Sequence, residues 1–342
     1  MPFRKSPDTR PLIDEVTPAA AIPGGEVHVR GKNFMRGGIP AARFGDTAAH
    51  VITGSDSLMI LRVPDAVAGQ DLIIGSNGSV SAPLACAVGR QIGDSMHVVA
   101  NPAVDENGNV FTTLSGSRGQ KTPVSVYRVD TLGQVSSFVS DITNATGLVF
   151  DSAGTLYISS RHEGNVYSAT PSGSIEVYVE GMGIATGIAF DHNENLYVGD
   201  RSGTIFKVNR ERHIYVFATL ESSIAAYHLA FGPEGDLYVT GPTTSSYDSV
   251  HRITPAGDVE IFYRGLGRPQ GLAFDTQGNL YVAASLQGRR GIVRITPAKE
   301  ASLFLSGPGI VGLAFGRDRN LIVATQTTLF DVPVGVEGRR LA

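Results

Sequence analysis

The chain has a single cysteine, Cys86, no excess of basic residues and no apolar stretch long enough to cross a bilayer. One thiol can form neither an internal disulfide nor a thiolate metal cluster, and its setting in the run APLACAV marks it as a small packed hydrophobe. With 28 Lys and Arg against 32 Asp and Glu, the net charge of −4 gives no general electrostatic reason to bind nucleic acid or an anionic membrane surface. No segment reaches the ~20 apolar residues of a membrane span. The N-terminal MPFRKSPDTRPLI lacks the apolar centre of a signal peptide, so the chain is expected to be soluble. Its compartment stays open: cytoplasmic as written, exported if a leader has been removed. Also missing are GxSxG, HExxH, a phosphate-cradling glycine loop and a cysteine–histidine pair. The sequons at Asn77 and Asn144 read as incidental without an export signal.

What is abundant is glycine, 41 residues, and a repeated phrase. PAVDENGNVFTT, GLVFDSAGTLYIS, GIAFDHNENLYVG, HLAFGPEGDLYVT, GLAFDTQGNLYVA and GLAFGRDRNLIVA begin at Pro102, Gly147, Gly187, His228, Gly271 and Gly312. Aligned on Asn101, the copies recur every 40 to 46 residues. A unit of that length, made of short alternating segments broken by turns, predicts a propeller blade of four antiparallel strands. Six copies predict a six-bladed β-propeller over residues 90–342.

Residues 11–89 lack the phrase. LIDEVTP, EVHVRGKNF, ARFGD, AHVIT, LMILRVP and DLIIGSNG are short alternating runs split by glycine turns, the pattern of a small antiparallel sandwich. IDEVTPAAAIPGGEVHVRGKNF, ARFGD, LRVPDAVAG and NGSVSAPLACAV together resemble an IPT/TIG domain, an immunoglobulin-like fold. The fold class expected for the whole chain is therefore all-β, an immunoglobulin-like β-sandwich followed by a six-bladed β-propeller. In IPT/TIG families such modules contact DNA, dimerise or act as spacers. Here Arg30, Lys32, Arg36, Arg43 and Arg62 are spread over strands and turns, which favours a spacer or a docking module for a protein partner.

Strand alternation gives the propeller two unlike faces. Turns such as DSAG at Asp151 and DTQG at Asp275 lie on one face, and turn geometry alone accounts for their Asp and Gly. The other face receives irregular connections: SGSRGQKTP from Ser115, SSRHEG from Ser159, GDRSG from Gly199, GPTTSSYDS from Gly241 and ASLQGRRG from Ala284. Departures from a repeat do nothing for the core, so ligand contacts are expected there. The candidate ligand-binding residues are Arg118, Arg161, His162, Asp200, Arg201, Tyr227, Tyr247, Asp248, Arg268, Gln270 and Arg289. His228 stands where other copies carry glycine. A histidine at a channel mouth can serve as general base, metal ligand or hydrogen-bonding hook, and it is the candidate catalytic residue.

Phrases such as LYVGDRSGTIFKV and GNLYVAA resemble NHL-repeat propellers and, more broadly, the group holding gluconolactonases, senescence-marker lactonases and virginiamycin B lyase. The lactonase resemblance implies a divalent metal held by Glu, Asn and Asp before the inner strands, where this chain has Ala100, Thr146, Thr186, Tyr227, Gln270 and Val311. No confident cofactor follows; calcium, magnesium or zinc enters only with the enzyme alternative. The function expected first is recognition of a small molecule, glycan or peptide on the irregular face. A lactonase-like hydrolase or a lyase acting at the same channel mouth is the alternative. GVEGRRL after Pro333, or the stretch near Gln91, is expected to supply the strand that closes the ring.

Overall fold

The computed structural model describes residues 10–35, 40–67, 70–76 and 78–339; the N-terminal MPFRKSPDT, Arg36 and the Asn77 sequon lie outside them. Every regular element among these residues is a strand. The chain divides into two compact units, one of residues 1–90 with 303–308 and one of 91–302 with 309–342.

In the first unit, alternation decides which side chains go inside. In Glu26–Lys32, Val27 and Val29 are buried while Glu26 and Arg30 face water. The antiparallel order runs Leu12–Thr17, Glu26–Lys32, Leu58–Arg62, Thr47–Gly54, Ala41–Phe44, Asp71–Ser76, Ser79–Val80. Thr47–Gly54 changes partner halfway. Thr47 to Ala49 pair with Phe44 to Ala42, and His50 to Gly54 pair with Arg62 to Met59 across a bulge between Val51 and Thr53. The bulge bends the strand, so the sheet folds over its own apolar face. That face holds Val27, Val29, Phe34, Phe44, Leu61 and Ile74, with Cys86 fully buried among them. Burial pushes the Cys86 thiol up to about 12, which keeps it protonated and inert.

The second unit is built from successive antiparallel sheets in a propeller-like arrangement. The first contains Ala103–Val104, Val110–Thr113, Val126–Val129 and Val135–Val139. Ala145–Phe150, Leu156–Ser160, Asn165–Ala169 and Ile175–Val179 form the second, and Ala185–Phe190, Leu196–Asp200, Thr204–Val208 and Ile214–Thr219 the third. His228–Phe231, Leu237–Thr240, Asp248–Ile253 and Val259–Leu266 form the next. Leu272–Phe274, Leu280–Leu286 and Arg289–Ile295 then pair in the same order, and Ala301–Ser306 follows them in the chain. Ile310–Phe315, Leu321–Thr325 and Leu329–Val332 complete the series, with Arg90–Gly93 as their outer strand. Of the two expected closures, the stretch near Gln91 provides the strand. Residues 336–339 instead lie against the turn end, where Val336 N–H donates to Arg319 C=O at 3.2 Å and Arg339 N–H to Phe274 C=O at 2.8 Å. The innermost strands neighbour one another in a cycle, from Ala103–Val104 through each first strand in turn and back.

Two letters of the repeated phrase hold successive sheets together. The Phe that ends an inner strand meets the aromatic ring of the preceding repeat's second strand edge to face: Phe150 on Phe111, Phe190 on Tyr157, Phe231 on Tyr197, Phe274 on Tyr238, Phe315 on Tyr281. Centroid separations of 4.8 to 5.3 Å are those of favourable T-shaped pairs, each contributing about 0.5–1.5 kcal/mol beyond its buried area. The remaining joint is aliphatic, with Val104 packed in one cluster with Ile322, Val311 and Ala324.

Candidate functional site

The column in which His228 stands is sterically exacting. A Cβ on Gly147 would lie 2.4 Å from the Thr186 carbonyl oxygen, and one on Gly187 would lie 2.4 Å from that of Tyr227. Neighbouring inner strands approach so closely there that glycine is required. Two repeats break the rule. In the first sheet's repeat the position is Asn101, whose amide joins two other inner strands: Nδ2 donates to Leu272 C=O at 2.9 Å, and Oδ1 accepts from Leu313 N–H at 3.1 Å. The other exception is His228, only 2% exposed, whose Nε2 has no hydrogen-bond partner. Burial lowers its pKa to about 4, so the ring is neutral at pH 7.

Both residues line a cavity of about 370 Å³ enclosed by the inner strands. Val149, Ile188, Leu229, Ala273 and Ala314 are among its lining residues, and Glu106, Arg317 and Arg339 border it at the end where the short turns lie. Asp105 and Asp151 also border it, but their carboxylates serve their own turns. Asp105 Oδ1 accepts from the N–H groups of Asn107 and Asn109 at 2.9 and 2.8 Å, and Oδ2 from Asn109 Nδ2 at 2.7 Å. Asp151 Oδ1 accepts from Ala153 and Thr155 N–H at 3.0 and 2.8 Å. The sequence directed attention to the irregular end, whereas the enclosed volume adjoins the stereotyped one. The sequence signal for it was Asn101, a second non-glycine in the glycine column.

At the irregular end, Arg161 and Arg201 occupy equivalent places in consecutive repeats, each just after its second strand. Arg161 N–H donates to Asn144 C=O at 3.3 Å, and Arg201 N–H to Ile184 C=O at 3.1 Å. Their guanidinium groups rest on backbone oxygens, Arg161 Nη2 on Gly116 at 3.1 Å and Arg201 Nε on Ser223 at 3.1 Å. Neither has a carboxylate partner among the described residues. Arg161 is half-buried, and burial first, then the Arg201 charge, draws its pKa below the ordinary arginine value. Asn144 braces the adjacent loop: Nδ2 donates to Gly116 and Ser117 C=O at 2.8 and 3.0 Å, and Oδ1 accepts from Gly119 N–H at 2.8 Å. At 1% exposure its sequon is inaccessible in the folded chain. Arg118 is exposed on that loop, and the His162 ring is the nearest neighbour a Cβ on Gly119 would meet.

Several other candidates have structural employment. Asp200 is buried, with Oδ1 accepting from Ile184 N–H at 2.9 Å and Ser202 N–H at 3.2 Å, and Oδ2 from the Ser202 hydroxyl. The buried Tyr227 hydroxyl donates to the Glu221 carbonyl, and burial raises its pKa to about 12. Gln270 joins the backbone network, donating from N–H to Ala283 C=O at 2.9 Å and accepting from the Thr240 hydroxyl. Asp248 Oδ1 accepts from Thr243 N–H and hydroxyl at 3.1 and 2.7 Å, while Oδ2 is buried without a partner. Tyr247 is 70% exposed, Arg268 is exposed with a φ of 49°, and Arg289 is half-buried. Among the described residues no three His, Cys, Asp or Glu side chains stand together to hold a metal ion. The residues before the inner strands, Ala100, Thr146, Thr186, Tyr227, Gln270 and Val311, include no carboxylate or asparagine, so they do not fit the calcium, magnesium or zinc centre that the lactonase resemblance implies.

No protein-family model matches the chain, and no curated protein matches it. Solved structures do. A gluconolactonase from Xanthomonas campestris superposes with a TM-score of 0.61 at 14% identity, over 72% of this chain and 90% of its own. An auxiliary nutrient binding protein from Bacteroides thetaiotaomicron gives 0.57 at 12% identity, over 96% of this chain and 98% of its own. The virginiamycin B lyase of Staphylococcus aureus gives 0.53 at 16% identity, over 69% and 81%. At these identities the likeness is one of fold: the chain is an all-β protein with a propeller of the kind shared by gluconolactonases, lyases and nutrient-binding proteins.

Proposed function

We propose that the protein recognises a ligand on the irregular face of a six-bladed propeller, and that residues 11–89 form an immunoglobulin-like IPT/TIG module serving as spacer or as docking surface for a protein partner. The cycle of six inner strands supports the blade count, and the strand Thr47–Gly54 that changes partner supports the sandwich. The observation that carries the function is the pair Arg161 and Arg201. Two adjacent guanidinium groups are held by backbone oxygens and face no carboxylate. A guanidinium keeps a planar fork of donors suited to a carboxylate, so the ligand is a small molecule, glycan or peptide bearing an acidic group. Neighbours named as nutrient-binding proteins agree with binding as the task of such a scaffold.

The test is calorimetric titration with uronate-containing oligosaccharides and short peptides, each in acidic form and as its methyl ester or amide. At least one acidic member binds, esterification or amidation weakens it by about tenfold or more, and Arg161→Ala with Arg201→Ala abolishes it. Equal affinity for both forms, binding unchanged in the double variant, or no binding across the panel overturns the reading.

The enzyme alternative, a lactonase-like hydrolase or a lyase, has one observation in its favour: the unpartnered Nε2 of His228. It lacks a fitting metal set, and Asp200 is engaged by Ser202 and Ile184.

A further inference from the structure

We propose, as a narrowing that rests on the acidic-ligand reading, that the ligand is a uronate-containing oligosaccharide: one acidic sugar lies on Arg161 and Arg201, and a neighbouring ring lies on Tyr247. Between its second and third strands the fourth sheet takes Gly241 to Tyr247, where the two sheets before it need only Arg161 to Gly164 and Arg201 to Gly203. The longer connection carries TTSSY at residues 243–247, and its tyrosine is 70% exposed. A large aromatic turned to solvent at the end of a lengthened loop is available to a ligand. The loop is also joined to the arginines. The Ser223 hydroxyl and Ile224 N–H both donate to Pro242 C=O at 2.9 Å, while Ser223 N–H donates to Arg201 C=O and Ser223 C=O accepts from Arg201 Nε, each at 3.1 Å. Arg161, Arg201 and Tyr247 thus stand on three consecutive sheets, and a chain of sugar rings, not a single one, meets all three.

The way the loop is held favours a sugar over a peptide. Thr243 N–H and hydroxyl donate to Asp248 Oδ1 at 3.1 and 2.7 Å, Ser245 N–H donates to Thr243 Oγ1 at 3.0 Å, and Tyr247 N–H donates to Ser245 Oγ at 3.1 Å. These bonds fix the backbone under the ring, so the platform is ordered before the ligand arrives and less entropy is lost on binding. They also occupy the N–H groups of Thr243, Ser245 and Tyr247, which an extended peptide would otherwise pair with. What the loop leaves for a ligand is the face of Tyr247 and the exposed hydroxyls of Thr244 and Ser246, which take no part in these bonds. The negative face of an aromatic ring attracts the C–H bonds that line one side of a pyranose, and side-chain hydroxyls match sugar hydroxyls as donor or acceptor.

The probes are unbranched trimers of galacturonate, mannuronate and guluronate, with the corresponding monosaccharides, titrated by calorimetry against the full chain. At least one trimer binds about tenfold or more tightly than its monosaccharide, beyond the roughly threefold that three equivalent carboxylates give by statistics. Tyr247→Ala removes that advantage of length, whereas Tyr247→Phe, which keeps the ring face, retains it to within about threefold. An advantage that survives Tyr247→Ala, one lost equally in Tyr247→Phe, or no binding of any trimer overturns the proposal. The two readings fail differently. Acidic peptides that bind through Arg161 and Arg201 while no trimer binds overturn the oligosaccharide and leave the acidic-ligand reading standing. A trimer that binds unchanged as its methyl ester, or unchanged in Arg161→Ala with Arg201→Ala, overturns both.

Discussion

The two ends of the propeller-like unit use their polar groups in opposite ways. At the turn end, Asp105, Asp191 and Asp275 perform one act three times: one carboxylate oxygen accepts the N–H groups two and four residues on, and the other accepts the side-chain amide of Asn109, Asn195 or Asn279. At the loop end no such rule holds. Asn144 braces a loop, Asp200 caps another, and Arg161 and Arg201 remain without countercharge. The repeated aspartates find their partners inside their own turns. The irregular groups divide between braces such as Asn144 and Asp200 and the two arginines that the fold leaves without countercharge.

Substitution at the turn end is where that contrast has its largest expected effect. Asp275 is 2% exposed and receives hydrogen bonds from Gln277 N–H, Asn279 N–H, Asn279 Nδ2 and, at 3.1 Å, the buried Tyr281 hydroxyl. Asp275→Ala leaves these donors without their charged acceptor and is expected to cost on the order of 4 kcal/mol, read as a lowered urea midpoint. A loss under about 1 kcal/mol would mean that the Asp turn is ornamental.

The next effect in size concerns His228, between the two ends. Its folded pKa of about 4 lies below the ordinary histidine value of about 6.5, so in the interval between them the unfolded chain binds a proton that the folded chain refuses. Stability is thus fully present above pH 6.5, falls as the pH drops through that interval, and levels off below about 4. The contribution reaches about 3 kcal/mol at most, by the same interval. Urea midpoints followed from pH 7.5 to 4 should fall less steeply in His228→Leu than in wild type. Parallel curves would remove the case for a buried neutral imidazole.

How much of this was legible in the chain depends on whether a residue's partner lies nearby in sequence. The antiparallel order of strands within a repeat, the Asp turns and the buried setting of Cys86 could be read directly, because alternation and turn chemistry act over a few residues. The joints between sheets were half visible. Phe190 and Tyr157 recur as letters of the phrase, but only the ring places one against the other. What the sequence hid were contacts between distant positions. Nothing local says that Asn101 reaches Leu272 and Leu313, or that the open volume adjoins the regular turns. Local sequence likewise gives no sign that Arg161 and Arg201 meet. Those two residues lie forty positions apart and become neighbours because their repeats do.

The smallest expected effect is the sharpest test of the comparison. Arg161 and Arg201 each donate to a backbone oxygen, and a hydrogen bond of a charged donor at a partly solvated site is replaced largely by water when it is lost. Burial first, and then the Arg201 charge, depress the Arg161 pKa, and removing either guanidinium relieves their mutual repulsion, which offsets part of the loss. Arg161→Ala and Arg201→Ala are therefore each expected to change stability by less than about 1 kcal/mol, as surface substitutions away from structural features do. The double variant should unfold at nearly the wild-type urea midpoint. A drop as large as that of Asp275→Ala would show that the arginines brace the loops as the aspartates brace the turns, and the loop end would then lose its claim to be the binding face.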